Sequence, residues 1–149
     1  MGIKENLDED LKSAMRDRDE LRRSVLRVVR SEIHNEEINL RRELDDEGIL
    51  GVISSQVKRH RESISEFRKG NRDDLVGREE EELNVLLAYM PKQLEPDEIL
   101  VLARDAVNAS GAQGPGDKGK VMGRLMPQVK GKADGNIVNS IVTEILEAM

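Results

Sequence analysis

The 149 residues, 37% hydrophobic and 36% charged, can bury roughly 68–70% of their unfolded surface as one domain or two small ones. Cysteine is absent, which excludes disulfides and thiolate chemistry and is consistent with a cytoplasmic location; with Tyr89 and Phe67 as the only aromatics, base-stacking platforms are excluded too. The net charge of −6 disfavours indiscriminate polyanion binding, yet residues 114–132 hold Lys118, Lys120, Arg124, Lys130 and Lys132 against Asp117 alone, a local +4.

The N-terminal Met1-Gly2-Ile3-Lys4-Glu5 lacks an apolar signal core, and Asn6 stands where a myristoylation motif needs Ser or Thr. No run approaches the roughly 20 apolar residues of a membrane span. Apolar spacing is helical throughout. Ile3, Leu7, Leu11 and Met15 form the stripe of a first helix. A second, near 19–40, carries a wide stripe of Leu21, Val25, Leu26, Val28, Val29 and Ile33. Asp45-Asp46 offers the cap of a third helix near 46–69, with Ile49, Ile53, Val57, Ile64 and Phe67 on one side and Gly70-Asn71 as a left-handed stop. A fourth runs to Met90 with Leu75, Leu83, Leu86, Leu87 and Met90 inward, and Pro91 ends it.

Beyond Pro91 the composition shifts. Glu95-Pro96-Asp97-Glu98 opens a fifth helix, with proline in its first turn and acids at the positive end of the dipole. After the loop 110–116, Asp117 is expected to cap a sixth helix carrying Val121, Met122, Leu125 and Met126, and Pro127 to kink or end it. Asp134 caps a last helix with Ile137, Val138, Ile141, Val142, Ile145 and Leu146 on one stripe. The fold class expected is all-α: a four-helix N-terminal bundle over 1–91, followed by a small three-helix C-terminal domain over 92–149.

Most candidate chemistry fails on inspection. Gly114 to Lys120 spells G-x-x-x-x-G-K, but Val121 stands where magnesium needs a hydroxyl, and the loop follows a helix rather than a strand. Two histidines without cysteine do not make a familiar metal site, so no metal and no cofactor is expected. His60 lies on its helix's apolar stripe, with Glu79 and Glu82 near the apolar face of the next. A histidine–carboxylate tie between two helices is favoured over catalysis, because no nucleophile accompanies it. The run Glu79–Glu82 otherwise reads as a solvated face.

The basic segment is different. On the sixth helix Gly119, Gly123, Lys120 and Arg124 fall opposite the apolar side. A partner could approach the backbone closely at the glycines, between two cations. Lys130, Gly131 and Lys132 then lead to Asp134 at a helix start, where free amides favour phosphate. A grip on folded RNA and a tight helix crossing both fit this pattern.

Gly119-Lys120-Val121-Met122-Gly123-Arg124-Leu125-Met126-Pro127, Lys130-Gly131-Lys132-Ala133-Asp134-Gly135 and Val138-Asn139 together resemble the signature of the GatB/YqeY family. Tyr89 to Leu94 is similar to its interdomain segment, and Leu21 to Arg27 and Arg41 to Asp46 to its N-terminal half. The resemblance is closest to the stand-alone YqeY-like branch. It implies a four-helix part, a three-helix part, and kinship with the tail of the B subunit of a tRNA-dependent amidotransferase, where the tail helps hold tRNA. By that resemblance Lys118, Lys120, Arg124, Lys130, Gly131, Lys132 and Asn139 are candidate RNA-binding positions. The expected partner is tRNA, and the alternative is a protein–protein adaptor for an amidotransferase subunit or an aminoacyl-tRNA synthetase. The family is associated with carbon–nitrogen ligation using glutamine as amide donor. This chain has neither a kinase-like cradle nor an amidase nucleophile, so no enzymatic activity of its own is expected.

Overall fold

The computed structural model describes residues 2–149, so Met1, which begins the Met1–Asn6 segment and the expected N-terminal domain, lies outside the described residues. Among the described residues all regular structure is helical, and the chain is all-α. The order is α1 (Ile3–Arg16), α2 (Glu20–Leu40), α3 (Asp46–Lys69), α4 (Asp73–Leu87), α5 (Pro96–Ser110), a short 3₁₀ turn (Pro115–Asp117), α6 (Lys118–Val129) and α7 (Gly135–Glu147). None of these helices is long and apolar enough to cross a membrane. The chain forms two compact units, one ending at Met90 and the other running from Pro91 to Met149.

The first unit packs α1 to α4 around Leu7, Leu11, Leu26, Val29, Ile33, Ile49, Ile53 and Leu86. Each such side chain contributes about 1.5–3 kcal/mol on burial. The stripe of α1 departs from its spacing. Met15 is 49% exposed, while Ala14 is fully buried. Steps of four residues overshoot a 3.6-residue turn, and by Met15 the drift is about 120°. Val28 also leaves the expected stripe of α2 and faces solvent.

Caps follow local chemistry. The Asp19 and Asp45 carboxylates accept from the Arg22 and Gly48 N–H groups, at 3.1 and 2.8 Å. At the end of α3 the left-handed residue is Asn71 (φ 58°) rather than Gly70 (φ −87°). Glu37 near the end of α2 accepts from the Leu44 N–H at 2.9 Å and from Lys4 Nζ at 3.2 Å. The Leu44 bond is the main cause holding its carboxyl below the usual carboxylate range. Tyr89 Oη–H donates to Asp10, which also pairs with Arg22. Burial, then the Asp10 carboxylate, pushes the phenol's pKa up.

The second unit packs α5 to α7 around Ile99, Ala103, Val107, Val121, Leu125, Val129, Val138, Val142 and Leu146. Glu95 and Glu98 form a reciprocal capping box at the start of α5. Gly111, at φ 71°, closes that helix in the left-handed region. Asp117 does not cap α6 as expected. Its carboxylate instead accepts from the Gln113 N–H at 3.0 Å, folding the preceding loop onto itself. Pro127 does not end α6 either. The helix continues only to Val129, so proline removes a single ladder bond near its end, the one to the Gly123 carbonyl.

Candidate functional site

α6 places its residues in rows four apart. Val121, Leu125 and Val129 are buried, whereas Gly119, Lys120, Gly123, Arg124 and Gln128 are exposed. A Cβ added to Gly119 or Gly123 would meet nothing within 4 Å. A helix crossing would fill that space, so among the described residues of the second unit none packs against these two glycines.

The cations beside it are largely unspent. Lys120 Nζ lies 3.7 Å from the Asp117 carboxylate and its side chain is 69% exposed, so this pair is weak. Among the described residues no ion pair involves Lys118, Arg124, Lys130 or Lys132. Lys118 is half-buried at the first position of α6, and Arg124, Lys130 and Lys132 are exposed.

Downstream, the backbone is fixed. Lys130 follows the last turn of α6, and Gly131 adopts φ 78°, which glycine tolerates best. The Gly131 carbonyl accepts from Gln93 Nε2 at 2.9 Å, and the Lys132 carbonyl from the Leu94 N–H at 2.8 Å. The loop that presents Lys130 and Lys132 is therefore tied to the segment preceding α5. The start of α7 is less suited to an anion than its sequence implies. The Asp134 carboxylate accepts from the Asn136 N–H at 2.9 Å, placing a negative charge where phosphate would sit. Asn139 is exposed within α7 and does not cap it. The structure thus groups Lys118, Lys120 and Arg124 on one helix and Lys130, Gly131 and Lys132 on its exit loop, with Asn139 on another element.

The phosphate-loop resemblance dissolves in three dimensions. Gly114 to Lys120 forms a 3₁₀ turn feeding α6, and the element before it is α5.

A second cluster lies in the first unit. His60 Nδ1 on α3 is 2.6 Å from Glu79 Oε2 and 3.8 Å from Glu82 Oε2, both on α4. The three side chains are only 17–23% exposed. The expected tie between helices is present, but it involves two carboxylates and not one.

Residues 4–146 match the family described as Yqey-like protein. Curated relatives are similar over most of the chain. "Altered inheritance of mitochondria protein 41, mitochondrial" from Pyrenophora tritici-repentis is 32% identical over 95% of this chain and 80% of its own length. The protein of the same name from Saccharomyces cerevisiae (strain YJM789) is 28% identical over 93% of this chain and 80% of its own. That from Vanderwaltozyma polyspora is 36% identical over 56% of this chain and 46% of its own. These names include no enzymatic activity. They also correct the cytoplasmic location expected from composition, because all three relatives are named as mitochondrial. The physical reason is simple: lack of cysteine excludes disulfides but does not distinguish one reducing compartment from another.

Proposed function

This chain belongs to the Yqey-like protein family, and from that premise we propose that it is an accessory tRNA-binding module with no catalytic activity of its own. The second unit contacts the phosphate backbone through Lys118, Lys120, Arg124, Lys130 and Lys132. The observation that carries this reading is the uncovered face of α6. Two glycines there leave the backbone approachable, and exposed cations flank them. Such a surface favours regularly spaced phosphates, since phosphate contacts need position and charge but no stacking ring. Near-absence of aromatics removes the usual route to single-stranded bases and leaves folded RNA as the better match.

The test is binding of unfractionated tRNA, from whole cells and from mitochondria, to the full chain and to the double variant Lys120→Glu with Lys132→Glu. All substituted groups are exposed, so helicity by circular dichroism is expected to be unchanged. The double variant is expected to lose tRNA binding. Unchanged affinity would overturn the proposal and favour a protein adaptor.

A further inference from the structure

We propose that His60, Glu79 and Glu82 form a binding site for a first-row divalent cation of the zinc type. This lies in the first unit and is independent of the RNA reading. One ligand atom from each residue, His60 Nδ1 and a carboxylate oxygen from each glutamate, lies within 4.8 Å of the others. The glutamates are three apart on α4 and so share a face toward α3, which supplies the histidine.

The distances suit a small cation after modest adjustment. A tetrahedral ion with bonds of about 2.1 Å separates its ligand atoms by about 3.4 Å. The histidine contacts of 2.6 and 3.8 Å bracket that value, so small rotations about side-chain bonds would seat the ion. Two carboxylates and a neutral imidazole balance a 2+ charge and leave a fourth position open. The nitrogen ligand favours zinc-type ions over magnesium or calcium, which prefer oxygen alone.

Two neighbours support the assignment. Glu82 Oε1 accepts from Arg78 Nε at 3.2 Å, which orients the carboxylate while Oε2 faces His60. One turn before His60 on the same helix, Gln56 is 4% exposed and its Nε2 has no acceptor among the described residues. Residues four apart share a helix face, and a buried amide donor left unmatched there is unfavourable, so an acceptor brought to this face of α3 would satisfy it.

The experiment uses the full chain stripped with chelator, then titrated with Zn²⁺ under thermal denaturation and with Co²⁺ under visible absorption. One equivalent of Co²⁺ is expected to give the ligand-field bands of a low-coordinate site. Zn²⁺ at a hundred times its Kd is expected to raise the melting temperature on the order of 10 °C, reversibly with chelator. His60→Ala is expected to abolish both responses. If that variant fails to fold, Glu79→Gln and Glu82→Gln preserve side-chain volume and must each weaken binding at least about tenfold. The proposal is overturned if Zn²⁺ produces no shift, if Mg²⁺ produces the same shift, or if the variants bind as the parent does.

Discussion

The two units use charge in opposite ways. In the first, several cations pair with acids on a neighbouring helix. Lys4 pairs with Glu37, Arg30 with Asp8, Arg22 with Asp10, and Arg68 with Glu80. In the second, the described ion pair is the weak contact of Lys120 with Asp117, and of the other cations in the 118–132 segment Arg124, Lys130 and Lys132 are exposed while Lys118 is half-buried. The second unit is nearly neutral, with seven Lys and Arg against eight Asp and Glu from Pro91 onward, yet five of those seven cations fall within 118–132. Segregation, and not excess, makes the patch. An acidic chain can therefore carry a locally basic segment.

This contrast is open to being broken. The largest effect is expected in the second unit, which relies on its apolar core. Leu125 is fully buried under the exposed strip, and Leu125→Ala is expected to cost about 3 kcal/mol in urea denaturation. A much smaller loss would mean that the strip's own helix is weakly held. In the first unit, Tyr89→Phe removes the hydroxyl that donates to Asp10 and is expected to cost about 1–2 kcal/mol. A negligible change would show that Arg22 alone satisfies Asp10.

Gly123→Ala sharpens the comparison because stability and function should move in opposite directions. The added methyl meets nothing within 4 Å, so helix propensity is expected to stabilise the second unit by up to about 1 kcal/mol. If the strip receives a partner, the same change should weaken that binding. Gain in both would place the contact elsewhere.

The smallest effect is in the pH response of the first unit. Glu37 is held below its ordinary pKa by the Leu44 N–H, with Lys4 adding to the effect. A depressed folded value means that its contribution is present at neutral pH and lost as pH falls through the carboxylate range. Glu37→Gln keeps an oxygen for the Leu44 N–H but removes the titration, so the acid-side slope of stability should flatten.

Much of this was legible in the sequence. Helical periodicity and acidic caps marked the elements because both depend on neighbours in the chain. Asp45 is a case in point. Met15 and Ala14 exchanged roles because a fixed four-residue spacing drifts around the helix. Asp117 looks like a cap in the sequence but accepts from Gln113 instead, because that contact depends on the loop's own fold. At the candidate interface, the row of Gly119, Lys120, Gly123 and Arg124 could be read directly. Its openness could not, since that depends on where other helices cross. The His60 cluster was half visible. Glu79 and Glu82 could be read as partners of His60, but the convergence of all three ligand atoms within 4.8 Å depends on how α3 and α4 pack.

The most direct measurement of the central claim is the salt dependence of tRNA affinity for the full chain. Four to five phosphate contacts predict a slope of about −3 to −4 in log affinity against log salt, a loss on the order of a hundredfold between about 50 and 200 mM. Arg124→Gln should reduce that slope by close to one contact. Binding that is insensitive to salt, or a slope that Arg124→Gln leaves unchanged, would contradict an electrostatic grip by this face.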